Sequence, residues 1–170
     1  MVPYDPRMEI RDDELVLRPI EARDADAIAA GLADPETSRY MLQIPTPYTP
    51  EDARTWVARC EQVWRDETSY PFAIVDAAGG AFLGSIELSG DSGSIGYWVA
   101  PEAQGRGVAT RALRLLCGWA SQRPLRLTTH PDNVASQRVA EKAGFRRIGT
   151  ITEEQRFRDG ERESILFELP

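Results

Sequence analysis

The most constraining feature of this chain is the run from Gly93 to Ser121. "GSIGYWVA" (93–100) alternates as a strand does, and "PEAQGRG" (101–107) interrupts it with a proline and two glycines. An amphipathic helix then follows to about Ser121. In it Ala109, Ala112, Leu113, Leu116 and Ala120 share one face, with Arg111 and Arg114 on the other. The first N–H groups of such a helix have no intrahelical partner and point outward at the positive end of its dipole. Gly105 and Gly107 remove the Cβ atoms that would stand in front of those donors, and Arg106 adds a positive charge. The turn is therefore either a plain glycine-rich bend or a cradle for phosphate. Its spacing matches neither Gly-x-Gly-x-x-Gly nor the P-loop, which needs Gly-Lys-Ser/Thr.

The rest of the chain supplies the frame. Residues 1–12, with Pro3 and Pro6, read as a flexible arm, and "ELVLRPI" (14–20) as a strand. A helix is expected from about Asp24 to Leu32, ended by Pro35, and the two prolines of "MLQIPTPYT" (41–49) demand a loop. Thr49 has the character of an N-cap. Pro50 stands at the first helical position, Glu51 and Asp52 suit the dipole, and Ala53, Trp56, Val57, Cys60, Val63 and Trp64 form an apolar stripe over 50–66. Strands over 70–76, 81–89 and 93–100 are joined by "AAGG" and "GDSG" as antiparallel hairpins. A strand at 124–130, a helix at 133–144 capped by Gly144, and two final strands around "RDGE" complete the order β-α-α-β-β-β-α-β-α-β-β. Such interspersed strands and helices predict an α/β (α+β) domain, a mixed sheet covered on both faces, over residues 1–170.

Composition narrows the partners. With 170 residues the chain can bury one core of good size. No apolar run approaches the roughly 20 residues that span a bilayer, and the N-terminus lacks the pattern of a signal peptide, so a cytoplasmic location is expected. Cys60 and Cys117 fall in apolar helical stripes without metal-ligand spacing, which predicts free buried thiols and no metal. A net charge of −7 argues against nucleic acid as partner. It suits a cationic substrate such as an amine, or it simply maintains solubility.

Two segments carry a more specific pattern. "IGYWVAPEAQGRGVATRALRLL" fits a Gln/Arg-x-x-Gly-x-Gly/Ala signature at Gln104, Gly107 and Ala109. "HPDNVASQRVAEKAGFRRIG" fits Asn-x-x-Ser-x-x-x-x-Glu-Lys-x-Gly-Phe at Asn133, Ser136, Glu141, Lys142, Gly144 and Phe145. In this order the two resemble the GNAT acetyltransferase superfamily, specifically its RimJ/RimL-type branch. "LVLRPI" and "IPTPYTPEDARTWV" are similar to that family's opening strand and second helix, so the resemblance covers nearly the whole chain. It implies a mostly antiparallel central sheet of six to seven strands flanked by about four helices, with a splayed pair of strands forming a coenzyme cleft.

The resemblance also implies a ligand, acetyl-coenzyme A. Backbone N–H groups of Gln104, Gly105, Arg106, Gly107, Val108, Ala109 and Thr110 would hold the pyrophosphate. The pantetheine would lie between the strand of Trp98 and Val99 and the strand ending near Thr129, with the Val99 N–H polarising the thioester carbonyl. Acetyl transfer needs a neutral amine, a donor for the developing oxyanion and a proton source for the thiolate. Many family members supply the proton from a tyrosine seven residues after the motif asparagine, where this chain has Ala140. The branch offers Ser136 instead, next to Asn133; the two also read as a first-turn residue and an N-cap. Related sequences often carry a glutamate just before "IGYW", where this chain has Ser94, and Glu87 on the neighbouring strand is the substitute. Glu87 also reads as a solvated strand carboxylate, with a water chain as base.

His130 reads as a base or as part of the turn "HPDN". Arg138 and Lys142 either reach the coenzyme's adenosine phosphates or form a solvated helix face. The loop "MLQIPTPY" and the hairpin around "RFRDGERE" would flank the amine, with Tyr48, Tyr97 and Trp98 packed there or in the core. The implied activity is N-acetylation of a protein N-terminus or a small-molecule amine by direct attack. Some branch members use a longer acyl group such as succinyl, and a homodimer is compatible with the pattern. The alternative is a coenzyme-binding sensor or structural module without turnover; a nucleotide-binding protein would need the missing P-loop lysine.

Overall fold

The computed structural model describes residues 5–121 and 123–170. In chain order the strands are β1 (Ile10–Arg11), β2 (Leu15–Pro19), β3 (Ser69–Asp76), β4 (Phe82–Ser89), β5 (Ile95–Val99), β6 (Leu125–Thr129), β7 (Arg146–Glu154) and β8 (Glu161–Leu169). The α-helices are α1 (Ala25–Ala33), α2 (Pro35–Ser38), α3 (Pro50–Arg65), α4 (Val108–Trp119) and α5 (Val134–Lys142). The antiparallel order β1-β2-β3-β4-β5 makes one sheet, and β6-β8-β7 makes a second. Among the described residues they meet through a single parallel bridge, Ser94 to Arg126. The expected sheet is thus two sheets divided at the splayed pair, with eight strands and five α-helices among the described residues. The expected arm does not extend to residue 12, because Ile10 and Arg11 pair with Leu17 and Val16; residues 1–4 of that arm lie outside the described residues.

Local chemistry accounts for the helix ends. At α3 the Thr49 N–H donates to Asp52 Oδ2 (2.8 Å) while the Asp52 N–H donates to Thr49 Oγ1 (3.2 Å), a reciprocal capping box behind Pro50. Pro35 does more than end α1. Asp34 accepts the Thr37 N–H at 2.9 Å, so Pro35 stands at the first position of the short α2. At the end of α5 the Phe145 N–H reaches Ala140 O (3.0 Å) and the Gly144 N–H reaches Glu141 O (3.0 Å), with Gly144 at φ 94°. That bond pair is a Schellman closure, which only glycine adopts without strain.

Strand alternation sorts the first sheet into two packed faces. Leu17, Phe72, Ile74, Ile86, Leu88 and Ile95 pack with α4 through Leu113 and Leu116. Val16, Ala73, Val75 and Trp98 pack on the other face with Ile28, Leu32, Ala53 and Cys60 of α1 and α3. A buried ion pair ties β2 to the start of α1: both Arg18 terminal nitrogens meet Asp24 carboxylate oxygens at 2.8 Å. Cys60 and Cys117 are free and buried, and burial pushes their thiols up to about 12 and about 11, so both stay protonated.

Candidate active site

The N-terminus of α4 is built unlike that of α3. Its N-cap is Gly107, in the left-handed region at φ 76°; no side chain caps it and no acidic residue occupies its first turn. Gly105 also has positive φ, 73°, and a Cβ at either glycine would meet nothing within 4 Å. The turn therefore presents bare backbone to open space, and the unpaired N–H groups at the start of α4 stay available to an anion. Arg106 is exposed beside it, and Arg138 and Lys142 are exposed on α5; none of the three side chains forms an ion pair among the described residues. Gln104 serves differently. Its amide donates to Val99 O (3.0 Å) and Thr37 Oγ1 (3.2 Å), so its side chain locks the end of β5 to α2 and only its backbone faces the turn.

The second element is the free edge of β5. The Ala100 N–H donates to Leu83 O, and the Ser89 N–H donates to Ser94 O, so residues 94, 96, 98 and 100 turn their backbone groups toward β4. By alternation Ile95, Tyr97 and Val99 aim theirs at β6. At the start of β5 that edge is closed: the Arg126 N–H reaches Gly93 O at 2.9 Å. Beyond the bridge the strands part. The Val99 N–H thus lies on an edge whose partner strand has diverged, next to the open turn of α4.

The two faces of β5 carry different groups. On the α4 and α5 face, Tyr97 reaches across to α5, its hydroxyl 2.8 Å from Ser136 Oγ. Burial pushes the Tyr97 phenol up to about 12, the contact with Ser136 acting against it. Asn133 caps α5 by accepting the Ser136 N–H at 3.1 Å, which is the N-cap reading of that residue. Ala140 is fully buried. On the opposite face Glu87 lies across the ladder from Gly96. The Ser69 hydroxyl donates to its carboxylate, and burial raises its pKa against that bond. Gly96 is exposed, with nothing within 4 Å of where a Cβ would stand, so the surface next to Glu87 is open. Ser136 and Glu87 are therefore brought to one strand but to opposite faces of it.

The aromatic residues expected at the amine site divide in the same way. Tyr48 is buried in the core beneath α1 and α3, and the Trp98 indole packs against Gly31 and Phe82. The Trp98 backbone groups turn toward β4, so neither its indole nor its backbone faces the gap, and the expected coenzyme contact falls to Val99 alone. Tyr97 is the partner of Ser136, a pairing that helix and strand periodicity could not reveal because the residues lie 39 positions apart. His130 stacks on Tyr40 (centroids 5.0 Å apart), and its Nδ1 accepts the Asp132 N–H at 3.0 Å, so the turn reading of "HPDN" holds. Among the described residues no group of three or more His, Cys, Asp or Glu side chains is placed to hold a metal, and no helix is long and apolar enough to cross a membrane.

Comparison with known proteins fits this geometry. A family model described as "Acetyltransferase (GNAT) domain" matches residues 14–146. The Bacillus subtilis (strain 168) protein named "Probable N-acetyltransferase YjcK" is 25% identical over 154 residues, 82% of this chain and 84% of that protein. Among solved structures, a GNAT-family acetyltransferase from Bacillus anthracis superposes with a TM-score of 0.82 at 21% identity, covering 95% of this chain and 98% of that one. Mycobacterium smegmatis RimJ in complex with CoA-disulfide superposes with a TM-score of 0.75 at 24% identity, covering 91% and 81%.

Proposed function

The chain belongs to the GNAT acetyltransferase family, and from that premise we propose that it moves an acetyl group from acetyl-CoA to a primary amine by direct attack, as a RimJ/RimL-type member. The observation that carries the reading is the uncapped α4 N-terminus, with Gly105 and Gly107 at positive φ, beside the free edge of β5. Backbone N–H groups of residues 104–110 would take the pyrophosphate, assisted by Arg106 and, on α5, by Arg138 and Lys142. The pantetheine would follow the gap between β5 and β6, and the Val99 N–H would meet the oxygen on which charge develops.

The faces of β5 then divide the proton transfers. The amine approaches over Gly96 and gives its proton to Glu87, whose pKa burial raises, the direction that strengthens a carboxylate as a base. As nitrogen bonds to the acyl carbon and the carbon–sulfur bond breaks, the thiolate receives a proton or hydrogen bond from Ser136. Tyr97 holds the Ser136 hydroxyl from behind, and its own high pKa keeps it a donor. Among these, Ser136, Glu87 and the Val99 N–H touch the reacting atoms, while Asn133 and Tyr97 position Ser136.

The test measures acetyl-CoA binding by calorimetry and free-thiol release across a panel of amines, repeated with succinyl-CoA. The reading expects acetyl-CoA to bind and at least one amine to release CoA with N-acetylated product. Binding without turnover on any amine or acyl donor would instead identify a coenzyme-binding module.

A further inference from the structure

Where β6 ends, a cavity of about 300 Å³ is lined by Arg39, Tyr40, His130, Asp132, Arg158 and Arg162 among others. It joins the loop after α2 to the β7–β8 hairpin: Arg158 donates to Ser38 O (3.2 Å), Arg39 O (3.0 Å) and Thr46 Oγ1 (3.2 Å). Its place relative to β5 follows from the ladder. Ser94 bridges Arg126, so Arg126, Thr128 and His130 continue the face of Gly96 and Glu87 into the second sheet. Thr128 pairs with Leu166 on β8, and alternation carries the same face to Ser164 and Arg162. The cavity thus opens on the side of Glu87, away from Ser136.

Its charge is the reverse of the chain's. Arg158 meets only neutral oxygens, and Arg162 donates only to Ser164 Oγ (3.4 Å), so neither forms an ion pair among the described residues. Glu153 stands opposite Arg162 in the ladder, where its Oε1 accepts the Thr128 hydroxyl at 3.0 Å and its Oε2 is buried without a hydrogen-bond partner among the described residues, and Asp132 is at the exposed rim. Arg39 is engaged with Glu36 at 3.7 Å and lies over the Tyr40 ring. Burial and the neighbouring Arg158 both press the Arg162 pKa down, with Glu153 opposing. Two guanidinium groups brought together in a half-buried cavity without a carboxylate on either have the geometry for an oxyanion.

Resting on the transferase reading, we propose that Arg158 and Arg162 bind a carboxylate or phosphate on the acceptor, so that the substrate is a small amine with an oxyanion close to its nitrogen. The cavity's size suits such a group, and an acceptor without an anionic group brings neither guanidinium an ion-pair partner.

The test uses matched acceptors: amino acids against their α-amides, and phosphoethanolamine against ethanolamine. The anionic member of at least one pair is expected to have a kcat/KM about 10- to 100-fold above its neutral partner. In Arg162→Gln and Arg158→Gln that ratio falls toward one while acetyl-CoA affinity stays intact, and Arg162→Lys retains part of it. The carboxylate pair and the phosphate pair identify which anion is read. Equal or better turnover of neutral amines or uncharged peptide N-termini by the wild type, or an unchanged ratio in both glutamine variants, overturns the proposal. A binding arm stands apart from turnover: calorimetry of the same anionic amines on CoA-saturated protein, where binding lost in Arg162→Gln supports the anion site even if no acceptor is consumed. Absence of any binding there refutes it.

Discussion

Removal of the Ser136 hydroxyl is the sharpest test of how the leaving group is handled. Proton donation by a positioned side chain contributes about 10²–10⁴ in rate. The lower end applies here, because a thiolate, with an ordinary pKa near about 8.5, leaves without full protonation. Ser136→Ala is therefore expected to lower kcat about 100-fold, close to 2.7 kcal/mol of transition-state stabilisation. Tyr97→Phe keeps the ring and deletes only the 2.8 Å contact, so it should cost what one hydrogen bond costs, about 1 kcal/mol or five- to tenfold in kcat. If Tyr97 acts through Ser136, the double variant is no slower than Ser136→Ala, and the coupling equals the whole Tyr97→Phe effect. Since Tyr97 titrates only at about 12, its loss should leave no change in the pH–rate profile below pH about 10. The assay is thiol release at saturating acetyl-CoA, with the coenzyme Kd and melting temperature as controls for folding. Two results refute the reasoning: kcat within threefold of wild type in Ser136→Ala, or effects that simply multiply in the double variant.

The other expectations are more local. Gly107→Ala forces an L residue to φ 76° and should cost about 1–2 kcal/mol of stability by thermal melting, with acetyl-CoA affinity falling tenfold or more by calorimetry as the new Cβ meets the phosphate. Asp24→Ala leaves the buried Arg18 with only the long Glu21 contact (3.9 Å) and Pro19 O, and urea unfolding should show a loss of about 3 kcal/mol, much of it restored by replacing both residues with apolar ones. Glu87 has a folded pKa raised above its ordinary value of 4.5, so its contribution to stability is complete below that value and is lost as pH rises toward the folded pKa, where the unfolded chain has already released its proton. Glu87→Gln should flatten that decline and raise the melting temperature at neutral pH, while lowering kcat at least 100-fold; unchanged kcat would remove Glu87 from the reaction.

Much of the frame was legible because it depends on neighbours in sequence. Thr49, Pro50 and Asp52 announce the start of α3, and Gly144 announces the end of α5, since capping is decided within four or five residues. Pro35 was half legible: it stops α1, but the second role at the head of α2 depends on Asp34 accepting the Thr37 N–H. The splay between the two sheets is implied by the family resemblance and not by local pattern, because pairing across Ser94 and Arg126 joins residues far apart in sequence. For the same reason the sequence leaves Tyr97 between the acceptor side and the core, whereas the fold turns it toward Ser136 on α5. The net charge of −7 also hid the arginine cavity. A sum over the chain carries no information on which charges the fold gathers.

The substitution at position 140 has a structural explanation that bears on mechanism. Ala140 accepts the Phe145 N–H in the closure of α5, and both residues are buried in the main core. A tyrosine there would need its ring to pass out of the buried packing that Ala140 shares with Phe145. Tyr97 comes from the opposite wall instead. On β5 it has the right parity to cross to α5, and its hydroxyl arrives at Ser136 rather than at position 140. Under the proposed chemistry the phenol has moved from helix to strand, and a serine has been inserted between it and the sulfur. That arrangement makes a specific demand: Tyr97 alone cannot substitute for Ser136, because its hydroxyl stands one hydrogen bond further from the sulfur. Restoring the family's tyrosine by Ala140→Tyr should then destabilise the fold by overpacking, about 1–3 kcal/mol, without rescuing Ser136→Ala.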